Sequence, residues 1–157
     1  MHQKQKDELF MREALREAHK AYIKEEVPVG AVLVCRDKII ARGYNQVEML
    51  RDATAHAEMI CITSGSSAIE NWRLNEATLY CTLEPCTMCA GAMFLSRLGA
   101  LVWAAPDIRH GANGSWVDIF SRKHPMHTIE VRSGILGEEA SALMVKFFQS
   151  RRRDKSR

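Results

Sequence analysis

Long apolar runs are missing from this sequence of 157 residues, and none reaches the roughly 18–20 residues that a membrane-spanning helix needs. The first residues are mostly polar or charged, so they lack the apolar stretch of a secretion signal. There is no internal repeat and no low-complexity stretch except a basic end. We therefore expect a cytoplasmic protein with one domain over residues 1–157, because domains commonly have about 100–200 residues.

Disulfides are not expected either, because the reducing cytoplasm leaves metal binding, catalysis or core packing as roles for the five cysteines. Cys35, Cys61 and Cys81 each lie in an apolar run, where a small hydrophobic side chain fits the core. The other two, Cys86 and Cys89, lie in TLEPCTMCAGAM, residues 82–93. These two are the candidates for metal binding or redox chemistry.

Strands and helices alternate along the middle of the chain. Strand character occurs at residues 29–35, 38–44, 77–83, 101–104 and 128–131. Helical spacing or helix start signals occur at residues 7–25, 54–65, 86–97 and 138–151. Arg36 and Asp37 predict a hairpin turn, while Thr54 and Gly65 are a candidate N-cap and a candidate stop for the second helix. The pattern predicts an α/β fold with helices covering a largely parallel sheet.

The Cys86–Cys89 pair lies near the start of a predicted helix. Backbone N–H groups and the helix dipole lower the pKa of a thiol at such a position, so both sulfurs are candidate thiolates. A thioredoxin-like redox pair would use the same physics and stays open on this motif alone. A structural zinc usually takes two spaced ligand pairs, and the sequence has no second Cys or His pair of that kind.

His56 is the candidate third ligand, because it also stands at a predicted helix start. In α/β folds, helix starts that follow strands converge on one edge of the sheet, so His56 can face Cys86 and Cys89. Three protein ligands leave one tetrahedral position open, as in catalytic zinc sites. Glu58, two residues further on, is then placed to move protons during a hydrolysis. Without a metal, a glutamate at a helix start is usually only a favourable charge on the dipole.

The basic end, residues 146–157, reads KFFQSRRRDKSR and contains six Lys or Arg and one Asp. Such a cluster is often a solvated chain end. Two adjoining aromatic residues, Phe147 and Phe148, favour nucleic acid instead, because unpaired bases stack on aromatic rings beside guanidinium groups. Core packing is the alternative for these two rings, and one ring facing inward with the other outward would satisfy both interpretations.

The motif His-Ala-Glu followed by Pro-Cys-x-x-Cys is typical of zinc nucleobase deaminases. Nearly the whole sequence resembles the bacterial tRNA-specific adenosine deaminases of the cytidine and deoxycytidylate deaminase superfamily. The matching stretches are VPVGAVLV (27–34), GYN (43–45), TAHAE (54–58), ATLYCTLEPCTMCAGAM (77–93), SRLGALV (96–102), GANGS (111–115), GIL (134–136) and KFFQSRR (146–152). The resemblance implies zinc-dependent hydrolysis of the wobble adenosine of a tRNA anticodon, position 34, to inosine and ammonia.

The resemblance also implies roles for individual residues. His56, Cys86 and Cys89 would hold one zinc, and Glu58 would carry protons between the attacking water and the base. Asn45 would hydrogen-bond the base in the pocket. From the sequence alone, Asn45 is equally well a turn residue after a strand.

Substrate contacts beyond the base are implied for Asp107, Phe148 and Arg151. Asp107 would lie near the nucleotide on the 5′ side of the target, although Pro106 replaces a basic residue usual in the family and alters the loop. Phe148 and Arg151 would belong to a last helix near the anticodon loop. The family fold is a three-layer α/β/α arrangement around a five-stranded mixed sheet, assembled as a homodimer.

The zinc motif indicates the reaction type and not the substrate, because deaminases of cytidine, guanine and free adenine use related chemistry. The basic end and its two aromatic residues favour a polynucleotide. An alternative from another class is a non-catalytic RNA-binding protein that keeps zinc only to hold its fold. A catalytic role for Glu58 distinguishes the two.

Overall fold

The computed structural model describes residues 1–155, which form five strands and five helices. The helices are α1 (Gln3–Ile23), α2 (Val47–Leu50), α3 (Ala57–Ala68), α4 (Thr87–Leu95) and α5 (Gly137–Lys155). The strands are β1 (Gly30–Cys35), β2 (Lys38–Tyr44), β3 (Ala77–Leu83), β4 (Ala100–Ala105) and β5 (Glu130–Ser133). All five predicted strands are present, and α2 is the only helix among the described residues that the sequence patterns did not predict.

The five strands form one mixed sheet in the order β2-β1-β3-β4-β5. β1 is antiparallel to both of its neighbours, whereas β3, β4 and β5 run parallel. Arg36 and Asp37 join β1 to β2, and both have positive φ, at 52° and 60°. Positive φ at both central residues is the geometry of a tight hairpin turn whose twist matches the strands, which confirms the predicted turn.

Helices cover both faces of the sheet, so the predicted three-layer α/β/α architecture is confirmed. On one face, α1 and α5 pack against β1, β3 and β4 through Met11, Ala14, Val32, Val102 and Ala140, among others. On the other face, α3 and α4 pack on the same strands through a second buried cluster that includes Cys61, Leu79, Met93 and Leu101. Burial of two apolar surfaces, one on each side of the sheet, is the main source of stability in such a fold.

α1 lies very close to β1. A Cβ atom at Gly30 would overlap the backbone of α1 at Ala14 and Ala18, so only glycine allows the helix to approach the strand this closely. The backbone N–H of Gly30 donates to Thr82 Oγ1 at 3.1 Å, which ties β1 to β3 at the same level.

Asp7 of α1 is buried, with 1% of its surface exposed, and connects the helix to two strands. Its carboxylate accepts a hydrogen bond from the Tyr80 hydroxyl at 2.9 Å and forms an ion pair with Arg132 at 2.7 Å. Because a buried charge is tolerated only when it is paired and hydrogen-bonded, Asp7 selects one arrangement of α1 on the sheet.

The start of α3 differs from the prediction. The helix begins at Ala57 with His56 as its N-cap, and the Thr54 backbone and hydroxyl donate instead to Asp52 Oδ1. Gly65 does not stop the helix either, because it is a buried position at which α3 packs on Leu33 of β1. A short polar side chain followed by an apolar segment predicts a cap, but the competing turn at Asp52 shifts the cap by two residues.

Within residues 1–155, no helix combines the length and the apolar character that crossing a membrane requires.

The close approach of α1 to β1 predicts that Gly30→Ala destabilises the fold. Overpacking against backbone atoms costs about 1–3 kcal/mol, and neither backbone can move without shifting a whole helix. The matched control is Gly91→Ala in α4, where an added Cβ meets nothing within 4 Å and removal of a helical glycine gains up to about 1 kcal/mol. Urea unfolding measures both, and equal stability of the two variants would contradict the packing described.

Candidate functional site

Two helix starts meet at the carboxyl end of β3. His56 is the N-cap of α3, and Cys86 is the N-cap of α4, which follows β3 after only Glu84 and Pro85. α3 and α4 pack side by side on the same face of the sheet, so their first turns face each other. Cys89, one turn into α4, is fully buried beneath Cys86 and His56.

The three candidate metal ligands form one compact cluster. His56 Nδ1 lies 3.5 Å from Cys86 Sγ and 3.5 Å from Cys89 Sγ, and all three ligand atoms lie within 4.8 Å of one another. Zinc bonds of about 2.0–2.1 Å to nitrogen and about 2.3 Å to sulfur, at a tetrahedral angle, separate the two ligand atoms by about 3.5 Å. The spacing of His56 from the two sulfurs therefore fits coordination of one zinc ion.

The electrostatics of the cluster favour a thiolate at Cys86, whereas the expected thiolate at Cys89 is not favoured in the absence of a metal. Hydrogen bonds from the Cys89 thiol and from His56 lower the pKa of Cys86 to about 3. The bond to the Cys86 thiolate raises the pKa of His56, and the same sulfur pair raises the pKa of Cys89. A divalent cation bound by the cluster would replace the proton of the Cys89 thiol.

Glu58 lies beside this cluster in the first turn of α3, with 4% of its surface exposed. Burial raises the pKa of Glu58, because a carboxylate is poorly solvated there. Nearby His56 and a hydrogen bond with Cys89 act in the opposite direction. A buried carboxyl group whose pKa is raised is suited to general acid and base chemistry.

Asn45 follows β2 directly and is also buried, with 7% exposed. Its amide nitrogen donates to Val27 O at 3.3 Å, which fixes the orientation of the amide group. Among the described residues, nothing donates a hydrogen bond to the buried Oδ1. A buried acceptor without a donor is costly, and either a ligand or a water molecule can supply the donor.

Asp107 begins a loop that follows β4, next to the loop that carries the cysteines. Its Oδ1 accepts hydrogen bonds from the backbone N–H groups of Arg109 and His110, at 3.2 and 3.3 Å, so it caps the turn that follows. The preceding residue, Pro106, is exposed, and the backbone N–H of Asp107 donates to Glu84 Oε1. The structure therefore brings Asp107 to the same end of the sheet as the cluster, although it also has a local structural role.

The two phenylalanines near the end of α5 face opposite ways. Phe147 is buried at 5% exposure and packs edge-on against Tyr22 of α1, whereas Phe148 is 40% exposed. Arg151 stacks over the Phe147 ring at 5.2 Å and donates to Glu25 O at 2.5 Å, so it ties α5 to the end of α1. Of the basic end, Ser156 and Arg157 lie outside the described residues.

Sequence patterns missed two buried glutamates that hold the loops around the cluster. Glu26 accepts hydrogen bonds from the N–H groups of Glu48 and Met49, which start α2 just after Asn45. Glu84 accepts hydrogen bonds from the loop after β4. The only sequence signal for either is an acidic residue beside an apolar strand, where burial without a partner would be unfavourable.

Comparison with known proteins agrees with this geometry. A model of the family described as cytidine and deoxycytidylate deaminase zinc-binding region matches residues 4–105, which include the three candidate ligands and Glu58. A tRNA-specific adenosine deaminase of Bacillus subtilis (strain 168) is 46% identical over 149 residues, or 95% of this chain and 92% of that protein.

A chloroplastic tRNA(adenine(34)) deaminase of Arabidopsis thaliana is 55% identical over 161 residues, or 92% of this chain. The chain spans only 12% of that longer protein. A solved structure from work on A-to-I editing by tRNA:A34 deaminases at the wobble position matches with a TM-score of 0.82 and 43% identity. That match covers 86% of this chain and 98% of the solved one.

The cluster geometry predicts about one zinc per purified chain, held by His56, Cys86 and Cys89. Substitution of His56 or Cys86 by alanine removes one of three ligands and leaves most chains without metal. Cys35→Ala is the control, because Cys35 lies at the far end of β1, and this variant keeps its zinc. Mass-spectrometric metal analysis checks these contents, and a metal-free protein with a Cys86–Cys89 disulfide would favour the redox pair instead.

Proposed function

Because this chain belongs to the cytidine and deoxycytidylate deaminase family, and within it to the tRNA-specific adenosine deaminases, we propose the following roles for its residues. Its reaction is the zinc-dependent hydrolytic deamination of adenosine 34, the wobble base of a tRNA anticodon, to inosine. The observation that carries the assignment of residues is the buried pair of Glu58 and Asn45 beside a three-ligand cluster with zinc spacing.

We infer that His56, Cys86 and Cys89 hold the zinc. A zinc ion held by three protein ligands supplies hydroxide at neutral pH, which is the nucleophile a hydrolytic deamination needs. Glu58 would accept one proton of the attacking water and deliver it to N1 of adenine as the oxygen adds to C6. It would then accept the proton of the new C6 hydroxyl group and deliver it to the amino group, which leaves as ammonia when the C6–N bond breaks. The raised pKa of Glu58 favours these proton transfers, because a group that both accepts and donates protons is most effective when its pKa approaches the working pH.

Asn45 orients the base in this proposal. Its Oδ1 accepts a hydrogen bond from an N–H group of the purine, and the exocyclic amino group of adenine is such a donor. The amide nitrogen stays bonded to Val27 O, so the side chain is already oriented before the base arrives. An unpaired adenosine in an anticodon loop can leave its stack at low cost and enter the pocket.

Asp107 contacts the nucleotide on the 5′ side of the target. Its Oδ1 is used by the turn at Arg109 and His110, so the carboxylate presents Oδ2 to the RNA. A hydroxyl or base N–H group is the fitting partner for this oxygen, whereas a phosphate would be repelled. Asp107 therefore contributes to the selection of the loop sequence and not to general affinity for RNA.

The anticodon loop also lies against the outer surface of α5. Phe148 offers an exposed ring for base stacking. Arg151 has a double role, because its guanidinium fixes α5 to α1 and adds positive charge to this surface. Two further cations rest on aromatic rings of the same region, Lys146 over Tyr22 at 5.1 Å and Lys24 over Tyr44 at 5.3 Å. These cations place positive charge along the path towards Asn45, which directly follows Tyr44.

We further infer that the chain acts as one domain, as a homodimer and in the cytoplasm. Thiolate ligands need a reducing compartment, which supports the cytoplasm. Exposed apolar side chains support an interface with a second copy, because a monomer gains nothing from presenting them to water. Among them are Met49, Leu50, Leu95, Ile108, Trp116 and Met126.

Glu58→Gln is expected to abolish inosine formation while zinc and tRNA binding persist. The amide is similar in size but cannot carry a proton, and loss of general acid and base catalysis lowers rates by about 10²–10⁴-fold. Glu70→Gln is the matched control, since Glu70 is exposed beyond the end of α3. Inosine is measured in anticodon stem-loop RNA, with zinc content determined on the same samples. Turnover by Glu58→Gln at the wild-type rate would remove Glu58 from the mechanism.

Phe148→Ala is expected to weaken binding of an anticodon stem-loop by about five- to a hundredfold, the range for loss of one base–aromatic stack. Val145→Ala is the matched control, because Val145 is 54% exposed on the same helix and offers no ring. Fluorescence anisotropy measures binding to the zinc-loaded Glu58→Gln protein, which does not consume its substrate. Equal affinities of the two alanine variants would place the RNA elsewhere.

A further inference from the structure

The loop after β4 is held by one buried carboxylate. Glu84 has 1% of its surface exposed. Its Oε1 accepts hydrogen bonds from Asp107 N at 3.1 Å and from the Ser115 hydroxyl, and its Oε2 accepts from Asn113 N at 2.8 Å and Ser115 N at 3.3 Å. Four donors from three loop residues thus converge on a single side chain.

The same loop is attached to the cysteine segment. Gly111 forms an isolated bridge with Cys86, and Ala112 N donates to Pro85 O at 2.8 Å. Glu84 directly precedes Pro85 in the chain, and it also accepts a hydrogen bond from Asp107 N. It therefore links the cysteine segment to the turn at Asp107. The loop can therefore keep its place beside Cys86 only while the carboxylate satisfies its N–H groups.

Gly111 makes room for the carboxylate. A Cβ atom at Gly111 would overlap both oxygens of Glu84, and the φ angle of Gly111 is not in the left-handed region. Glycine is needed here for space and not for its backbone freedom. The Glu84 carboxylate thus packs directly against the loop backbone at Gly111.

We propose that Glu84 is a positioning residue for the deamination, which presents Asp107 to the RNA by holding residues 107–115 in one conformation. This inference rests on the proposed function of Asp107. Without the acceptor, the freed N–H groups would turn to water and the loop would sample other conformations. The RNA would then have to order the loop on binding, which weakens binding and leaves the chemical step at Glu58 untouched.

The test compares wild type and Glu84→Gln with an anticodon stem-loop RNA, measuring kcat, KM and zinc content. Glutamine keeps one acceptor oxygen but turns an NH₂ group towards donors, so about half of the loop contacts are lost. We expect KM to rise at least about tenfold, since each hydrogen bond to a charged group is strong, while kcat stays within about threefold and zinc is retained.

Asp7→Asn is the matched control. Asp7 is as buried as Glu84 and equally hydrogen-bonded, but it lies on the face covered by α1 and contacts Tyr80 and Arg132. Its substitution lowers stability without reaching the loop, so KM and kcat stay at wild-type values. The comparison separates a positioning role of Glu84 from a general loss of structure, because a general loss would affect Glu84→Gln and Asp7→Asn alike.

Two further variants disturb the same contacts while Glu84 remains. Gly111→Ala displaces the carboxylate and is expected to reproduce the rise in KM, and Ser115→Ala removes one donor and gives a smaller rise. Ser115→Ala also tests the proposal if Glu84→Gln does not fold, because it changes only a hydroxyl group in the loop.

Three results would overturn the positioning role. They are an unchanged KM in the variants, a fall of kcat with KM constant, and a loss of zinc in proportion to activity. Failure of the wild-type protein to form inosine would instead reject the proposed function itself. The two failures are therefore distinguishable in one set of reactions.

Discussion

The meeting of two helix starts is the constraint on which the rest of the molecule depends. His56 and Cys86 are both N-caps, and their ligand atoms reach 3.5 Å only because α3 and α4 lie side by side on one face of the sheet. The sheet enforces that placement through buried contacts of both helices with its central strands. Both sulfurs of this cluster are thiolates only when they bind a cation, so fold and metal chemistry are coupled.

Two buried carboxylates border this centre, one on each side. Glu26 accepts hydrogen bonds from two backbone N–H groups at the start of α2, close to Asn45, the residue proposed to hold the base. Glu84 does the same for the loop after β4. In both cases the carboxylate accepts hydrogen bonds from backbone N–H groups that have no partner within a helix or strand. Buried hydrogen bonds therefore anchor the loop after β4 and the four-residue helix α2 on either side of the metal cluster.

Much of the fold and the metal cluster could be predicted from short sequence patterns. Strand and helix periods, the Arg36-Asp37 turn and the spacing of Cys86 and Cys89 are local properties. The loop anchors could not be predicted, because the donors of Glu84 lie 23 to 31 residues away in the sequence and no pattern links them. The start of α3 was missed for a related reason, since the competing hydrogen bonds of Thr54 depend on the three-dimensional turn at Asp52.

The parallel pairing of β3 with β4 has an evolutionary consequence. Adjacent parallel strands deliver their following segments to the same end of the sheet, so the cysteine segment and the loop beginning at Asp107 are neighbours in space but separate in the gene. Replacement of residues 107–115 would change the proposed contacts to the nucleotide beside the target while the three metal ligands stay in place. The replacement must still present N–H groups to Glu84, so exchange is restricted to loops with a matching backbone path.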